Sequence, residues 1–422
     1  MTPRNGGAPE NVIQNGAMLD YAGAYGQGYN SLRTSGNVEL PYQDGWNVDP
    51  GRTGNPLVFG AEDEGSITKT TMREDLFPGD SGRPTTGATA ILTVVAQTPP
   101  TGAFRPALCA PTKISHWVED DMNLDMLPSH ALAAGNPPPA TRVRDLRYKQ
   151  QVEHTGDPAG ERIRSILNSP FRSYNAQGAC RTIAEATTLL TMAISPEHKR
   201  DLAVAICQIG IDVFERAKLG GQWGTTQRGT GGVAQTGNKM ALLVAGVLFD
   251  NQEMLAYGSG SRSPDKLFGE DVQIAYLSHA SATGTPYNGG WGYKPEDEGM
   301  PEWMGNHKYW PGSGGRVNTA HIEGYRAINS NWHCQAAMAY HLWPALKAVH
   351  GNQAFFDYCD RMMERNRYID GGEYQWMRGT KKGWPSTDGI VQSARPTAWA
   401  ISCWDTYRTA PGMDPIWDWP AP

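Results

Sequence analysis

The segment 220–250 combines residue types that bind ligands with a strong helix pattern. Its glycine-rich first half carries Trp223, Gln227 and Arg228, and Asn238 closes it. Apolar residues at helical spacing follow at once. Polar side chains held at the edge of a rigid helical scaffold are where binding and catalytic groups concentrate. We therefore expect this loop to form the edge of an active-site cleft.

Two long segments, 258–327 and 368–393, show no helical period and are dense in Trp, Tyr, Gly and His. Of the 14 tryptophans, 12 lie at or after Trp223. Loops of this length inside a folded domain are usually functional or disordered, and this composition does not favour disorder. A flat indole face suits the apolar face of a sugar ring, although most of these tryptophans should simply pack the loops onto helices. We expect these segments to fold over a cleft.

The composition limits the class of protein. The 422 residues are 39% hydrophobic and 19% charged, which is typical of a soluble globular protein with one large core or two ordinary ones. A net charge of -6 gives no basic field, so nucleic acid is not an expected partner. No window reaches the ~20 apolar residues of a membrane helix, and the first residues lack the apolar core of a signal peptide. The expected location is secreted or periplasmic if a signal peptide has been removed, and otherwise cytoplasmic.

The spacing of the cysteines does not indicate a disulfide framework. The six cysteines are scattered, without a CxxC pair. Buried free thiols are the expectation, and if the protein is exported a disulfide between distant cysteines stays open without an assignable pairing.

The composition and the predicted secondary structure change once along the chain. Residues 1–104 are rich in Gly, Asn, Pro and Thr, and their clearest periodic run, Ala88–Gln97, predicts a strand. The next stretch, to about Ser173, contains a proline cluster at 136–140 and suits a connection that wraps around the core. Helices are predicted to dominate from Ala179 onward.

The helices are predicted to form hairpins. Ser195 and Pro196 are an N-cap and first-turn pair, and the glycines at 220 and 221 end that helix. Apolar positions recur on one stripe of this helix and of the segment before it. A second pair is predicted over 332–349 and 355–363, separated by Gly351, with a kink at Pro344.

Several landmarks together resemble the bacterial α/α-toroid carbohydrate-active proteins, especially the alginate and glucuronan lyase-like group. They are FRPALCAPTK (104–113), LDMLP (124–128), SPFRSYN (169–175), the 220–250 loop and helix, and AFFDYCDRMM (354–363). The resemblance implies a mainly α fold, an α/α toroid that is an incomplete barrel of helical hairpins. Residues 105–422 would form this catalytic domain, with 1–104 as a small β-rich attachment. The Gly and aromatic content of the loops 220–238, 300–327 and 370–390 further predicts that they converge at one end of the toroid.

The resemblance also implies a chemistry, the cleavage of an acidic polysaccharide by β-elimination. In such lyases a Tyr commonly serves as base, acid or both, an Asn or Arg neutralises the uronate carboxylate, and a His assists. Removal of the C5 proton requires that neutralisation, because the proton is acidic only when the adjacent carboxylate is bound by donors or cations. The segment 321–333, HIEGYRAINSNWH, supplies these residue types.

The roles that the resemblance implies are assigned to residues of this chain by residue type. The catalytic candidates are Tyr325 as proton-transfer residue, Asn238 and Arg326 at the carboxylate, and His321 or His307 as assistant. The substrate-binding candidates are Arg228, Gln227, Trp223, Tyr174, Arg172, Trp303, Trp310 and Asn331.

Structural roles compete with these assignments. Arg326 could pair with Glu323 or cap a helix. His333 and His341 lie within a helical pattern, where core or surface roles are commoner than ligand contacts. Tyr174 and Arg172 could hold the first hairpin to the loops.

Three apparent motifs are rejected. The sequence 79–82, GDSG, resembles a serine-protease nucleophile loop, but the first histidine follows it and the order of base before nucleophile fails. The sequence 232–239 approximates a phosphate loop but has Asn238 where its lysine should be. No HExxH or tight ligand spacing indicates a metal, so no metal or other cofactor is expected, although the acidic loop Glu296–Glu298 would be compatible with a structural calcium.

Two alternatives remain open at the level of sequence. A glycoside hydrolase on the same toroid would need two carboxylates flanking the bond, and Glu302, Glu323, Glu373 and Asp388 lie in suitable loops without singling out a pair. A non-catalytic carbohydrate-binding protein would keep the aromatic cleft and lack the acid and base groups. The sequence gives no indication of the oligomeric state.

Overall fold

The computed structural model describes thirteen parts of the chain. They are residues 17–21, 24–27, 64–73, 85–108, 110, 112–152, 163–165, 175–218, 238–260, 267–277, 298–303, 333–365 and 397–417. Within these parts helices predominate and strands are short, which confirms the mainly α class.

A four-stranded antiparallel sheet forms the described part of the N-terminal region. Its strands are β1 (Ala17–Tyr21), β2 (Ala24–Gln27), β3 (Gly65–Arg73) and β4 (Thr85–Val94), in the order β2-β1-β3-β4. The strand predicted over Ala88–Gln97 exists, but its bounds were wrong by three residues. Val94 pairs with Gly65, the first residue of β3, so the residues after Val94 have no partner on that strand. Strand ends follow the partner strand rather than local β propensity.

The stretch from Thr98 to Gly135 is irregular and packs on the helical core. It contains two 3-10 turns, Glu119–Asp121 and Leu124–Met126, and Phe104 and Met122 are buried in the same apolar cluster as the helices. This supports the prediction of a wrapping connection rather than a separate core. Its anchor is Asp212, which accepts hydrogen bonds from the Leu108 backbone and the Arg105 side chain.

Helix α1 (Pro139–Lys149) lies in the stretch that was predicted to be a wrapping connection, before Ala179, from which helices were predicted to dominate. The proline cluster ends in a helix start, because proline is tolerated in the first turn, where its missing N–H has no intrahelical acceptor. Val143 and Leu146 are buried against the core. A two-stranded ribbon of β5 (Gln150–Val152) and β6 (Ile163–Ser165) follows.

The first predicted hairpin is confirmed as α2 (Asn175–Leu190) and α3 (Pro196–Lys218). The Ser195 hydroxyl accepts from the His198 backbone N–H at 3.2 Å, the N-cap contact that the sequence predicted. The turn between the helices is pinned by His130, whose N–H donates to the Thr191 carbonyl at 2.9 Å while its own carbonyl accepts from Ala193 at 2.7 Å.

Helix α4 (Asn238–Leu248) packs against α3 at a close crossing. A Cβ on Gly210 of α3 would collide with the backbone carbonyl of Ala241 and lie 2.7 Å from the Cβ of Ala245. The two backbones can approach this closely only because position 210 has no side chain.

We expect Gly210→Ala to destabilise the protein by about 1–2 kcal/mol. Overpacking typically costs about 1–3 kcal/mol, and the helix propensity of alanine offsets part of it. Urea denaturation of the two proteins measures the difference. A variant as stable as the parent would show that the helices can separate without cost.

The second predicted hairpin consists of three helices rather than two. Helix α7 covers residues 333–342, α8 is Pro344–Ala348, and α9 is Gln353–Asp360, continued by a π-helical turn over Arg361–Arg365. The expected kink at Pro344 is a full break: Trp343 leaves the helical conformation and Pro344 starts α8. Gly351 makes the following turn with φ of 77°.

The remaining described elements are short. Helix α5 (Gln252–Gly258) is capped by Asn251, whose side chain accepts from the Met254 N–H. Helix α6 (Gly269–Gln273) leads into β7 (Ile274–Tyr276), which pairs with β8 (Pro301–Trp303). All three elements lie within 258–327, where the sequence indicated no helical period. The last helix, α10 (Ala398–Tyr407), is capped by Thr397.

The cysteines of the described chain are free and buried, as expected. Cys180, Cys207, Cys334, Cys359 and Cys403 form no disulfide, while Cys109 lies outside the described residues. Burial raises the pKa of the Cys207 thiol, and that of Cys403 to about 12. These two thiols are therefore protonated at neutral pH and are poor nucleophiles. Among the described helices, none is long and apolar enough to cross a membrane.

Candidate functional site

Most of the predicted site lies outside the described residues. Of the candidates, Asn238 is described in full and Trp303 by its backbone at the end of β8. The convergence of the three loops is therefore still a prediction. Of the acidic loop Glu296–Glu298, only Glu298 is described. The candidates outside the described residues are Tyr325, His321, His307, Arg326, Arg228, Gln227, Trp223, Tyr174, Arg172, Trp310 and Asn331.

Asn238 stands at the start of α4, directly after the loop that carries three of those candidates. It is 1% exposed, and its Oδ1 has no hydrogen-bond partner in the described structure. The next residue, Lys239, is fully buried and donates to both carboxylate oxygens of Asp271, at 2.6 and 2.8 Å. Asn352 donates to the same carboxylate at 3.3 Å. A buried ion pair thus fixes the start of α4 to α6.

His333 stands at the other junction, directly after the segment that carries Tyr325, Arg326 and Asn331. It is 1% exposed, and both ring nitrogens lack partners among the described residues. Its ring contacts Phe355 of α9 edge-on, with centroids 5.6 Å apart.

Two more buried polar rings surround Phe355. The His350 ring stacks on it at 4.8 Å, and the Tyr340 ring meets it edge-on at 6.2 Å. Within the described structure the Tyr340 hydroxyl also lacks a hydrogen-bond partner. Desolvation by burial raises the pKa of Tyr340 and lowers that of His350. We call His333, Tyr340, His350 and Phe355 the aromatic floor.

Unpartnered buried polar atoms are rare in folded proteins and call for a specific explanation. Each one costs about 1–3 kcal/mol of desolvation that no hydrogen bond offsets. Such atoms occur at several places in the described structure, and three of them, the Oδ1 atom of Asn238 and both ring nitrogens of His333, belong to the first described residues of α4 and α7. A polar ligand or ordered water bound at these junctions would satisfy them.

The buried histidines make stability depend on pH. Desolvation by burial lowers the pKa of His333 to about 3 and of His341 to about 2, and the pKa of His350 also falls. Histidine in the unfolded chain has a pKa near 6.5. Below that pH the unfolded state therefore binds protons at these histidines, whereas the folded state leaves them neutral. Stability is therefore present above the unfolded pKa and is lost as the pH falls. Burial raises the pKa of Asp212 and Asp360, which acts in the opposite direction.

We expect the free energy of unfolding to fall between about pH 6.5 and pH 4, by at most about 4 kcal/mol per pH unit for three groups. Urea denaturation across this range measures the slope. His333→Phe keeps the ring contact with Phe355 and should reduce the slope by up to about 1.4 kcal/mol per pH unit. An unchanged slope in this variant would mean that His333 is protonated in the folded protein.

Glu302, a carboxylate considered for hydrolysis, is already engaged. It is fully buried on β8 and pairs with Arg361 at 3.1 Å. Arg361 is itself buried and contacts the Tyr358 ring. A general acid or nucleophile must reach the glycosidic bond, so this position does not favour Glu302 in hydrolysis. Glu323, Glu373 and Asp388 lie outside the described residues.

A second feature was not anticipated from the sequence: a cavity of about 680 Å³ between α8, α9 and the chain after α10. It lies in the size range of small-molecule sites. His341, Lys347, Asp357, Asp360 and Arg408 are among the groups that line it. The sequence signal was weak, because His341 occurs within a helical pattern and was assigned to the core or the surface. We call this space the α8–α9 cavity.

Ion pairs occupy most charges of this cavity. Arg408 donates to both oxygens of Asp360, at 2.8 and 2.5 Å, and Lys347 pairs with Asp414. Lys347 also donates to the Nδ1 atom of His341 at 3.2 Å.

No group of three or more potential metal ligands occurs in the described parts of the chain. Comparison with protein-family models, with curated proteins and with solved structures found no match for this chain.

Proposed function

We propose that this protein is a polysaccharide lyase that cleaves a uronate-containing polysaccharide by β-elimination. The proposed architecture is an α/α toroid built by the helices from about residue 105 onward. The described helical hairpins are compatible with this architecture, which remains part of the proposal.

The observation that supports the proposal most is the pair of junction residues. Asn238 and His333 are buried, carry unpartnered polar atoms, and follow directly on the two segments that hold Arg228 and Tyr325. Buried hydrogen-bonding atoms at such positions can orient a substrate carboxylate or a catalytic side chain without competition from bulk water. The unpartnered Oδ1 atom of Asn238 is an acceptor, so in this proposal it would hold a hydrogen-bond donor of the neighbouring segment in place, and Arg228 and Arg326 would neutralise the uronate carboxylate.

His333 contributes as a neutral imidazole. Its pKa, lowered by burial to about 3, means that it carries one N–H and one lone pair at neutral pH. A neutral imidazole can hold a phenol or a hydroxyl in place, but it is too weak a base to remove the C5 proton by itself. Proton transfer is therefore assigned to Tyr325.

The proposal is tested by incubating the purified protein with alginate, glucuronan and related uronate polysaccharides. A lyase product carries an alkene conjugated to the carboxylate and absorbs near ~235 nm, as the elimination route requires. Reducing ends without this absorbance would instead indicate hydrolysis, and binding without turnover would indicate a carbohydrate-binding protein. Either result would contradict the proposed activity.

A further inference from the structure

The packing of α7 against α9 brings two cysteines into contact. Cys334 is the second residue of α7, and Cys359 is the second-last residue of α9. The Cys359 thiol forms a side-chain hydrogen bond with the Cys334 thiol. The sequence left a disulfide open without an assignable pairing, and this contact singles out one pair.

The surrounding side chains hold the two helices together at this place. The ring of His333, the residue before Cys334, meets the Phe355 ring with centroids 5.6 Å apart. Phe355 lies one helical turn before Cys359 and therefore on the same side of α9. Cys334 is 1% exposed and Cys359 is fully buried, both within the apolar cluster that contains Phe355. The contact between the thiols is thus part of the packed core.

The environment of the pair does not suit a nucleophile. Desolvation by burial and the hydrogen bond with Cys334 raise the pKa of the Cys359 thiol, so it is protonated at neutral pH. A protonated thiol without access to solvent does not attack a substrate. Two thiols in contact can still react with each other, because a bond between their sulfurs requires only that both lose a proton and that an oxidant accepts two electrons.

We propose that Cys334 and Cys359 form a disulfide when the chain folds in the presence of a low-molecular-weight disulfide such as oxidised glutathione. The thiolate of one cysteine attacks the reagent, which releases one glutathione thiolate and leaves a mixed disulfide on the protein. The second cysteine loses its proton and attacks the protein sulfur of the mixed disulfide, which releases the second glutathione. Two protein thiols are thereby oxidised to one disulfide, and one oxidised glutathione is reduced to two thiols.

Burial determines when this exchange takes place. In the folded chain the reagent does not reach either sulfur, and the Cys359 thiol is protonated. In the unfolded or partly folded chain a cysteine is exposed and has a pKa of about 8.5. The first attack therefore precedes the closure of the α7–α9 interface. The second attack is favoured by the docking of the two helices, which brings the sulfurs together, and burial then protects the bridge from reductants.

The bridge ties together the two ends of a three-helix unit. It joins the start of α7 to the end of α9 and encloses α8 and the turn at Gly351. Such a closure restricts the unfolded chain. It forms in an oxidising compartment and is absent where thiols are kept reduced. This inference does not rest on the proposed lyase activity, and the linkage is assayed without a substrate.

The test is a map of the disulfides in the full chain. The chain is synthesised in vitro in a buffer of reduced and oxidised glutathione, so that it folds while the oxidant is present, and free thiols are then blocked with N-ethylmaleimide. Mass spectrometry of the digested soluble protein identifies the linked peptides. A second sample is unfolded in urea and exposed to the same buffer. We expect the Cys334–Cys359 linkage to be at least about tenfold more abundant in the folded sample, because contact raises the effective concentration of the two thiols.

Cys334→Ala and Cys207→Ala are the matched variants, because each removes one buried thiol from a helix. Cys334→Ala should leave Cys359 blocked by the maleimide, whereas Cys207→Ala should retain the bridge. If Cys334→Ala does not fold, the map of the parent chain decides. The proposal is overturned if Cys334 and Cys359 are both blocked in the folded parent, or if they are linked to other cysteines as often as to each other.

Discussion

Tyr325→Phe is expected to lower turnover of the true polysaccharide substrate by ~10²-fold or more while binding is preserved. The substitution removes the oxygen that transfers the proton and retains the aromatic ring. A phenol titrates near 10 and is a poor base in water, so it must lie beside cations that favour the phenolate. Arg326, next in sequence, and Arg228 are the residues proposed to supply that field. Initial rates of ~235 nm absorbance measure the effect.

The matched control is Tyr257→Phe, which removes a phenolic oxygen from the half-buried face of α5, outside the candidate loops. Its turnover should equal that of the parent. If Tyr325→Phe remains folded and turns over the substrate at a near-normal rate, the role assigned to Tyr325 is wrong.

Arg408→Met is expected to lower the free energy of unfolding by about 3–5 kcal/mol, because it leaves the buried carboxylate of Asp360 without its cationic partner. Arg408 is 1% exposed and makes two hydrogen bonds to Asp360 and one each to the carbonyls of Asp414 and Pro415. Without it, the backbone N–H of Trp417 is the remaining hydrogen-bond donor to Asp360 among the described residues. The described chain after α10 should therefore detach early, and thermal or urea unfolding measures the loss.

Arg200→Met serves as the control for charge removal. Arg200 pairs with Glu119 and Asp120 at the surface, where half of its side chain is exposed, and such solvent-screened pairs contribute little to stability. The double variant Arg408→Met/Asp360→Leu should recover much of the loss, since replacing both members of a buried pair removes the unpaired charge. Equal losses in Arg408→Met and Arg200→Met would contradict the structural role of the buried pair.

Local signals predicted the elements whose ends are set by local contacts. Ser195 caps α3 through its own hydroxyl, and the apolar stripes of α2, α3 and α4 follow helical spacing, so these helices could be derived from the sequence. The sequence pattern gave wrong bounds for one element and missed another, because both depend on packing against a distant part of the chain. The ends of β4 are set by β3, and α1 forms in a proline-rich stretch because its apolar face packs on the core.

The candidate site could likewise be predicted only in part from the sequence. Sequence composition pointed to the loops before α4 and α7, and it assigned Asn238 to the site from the loop that it closes. It did not predict that His333 would be buried beside Phe355, or that His341 and Asp357 would face one cavity. Histidines in an apolar helical pattern look alike in a sequence, whether their nitrogens are satisfied or free.

By itself, the sequence determined the mainly helical class, the first hairpin and the residue types available for chemistry. These properties follow from composition, spacing and caps, which act over a few residues. Only the tertiary structure decided which polar side chains are buried without a partner and which charges neutralise one another. Lys239 pairs with Asp271, from which it is separated by 32 positions in the sequence, and Arg408 pairs with Asp360, from which it is separated by 48. Such pairings depend on how helices pack, and no local pattern records them.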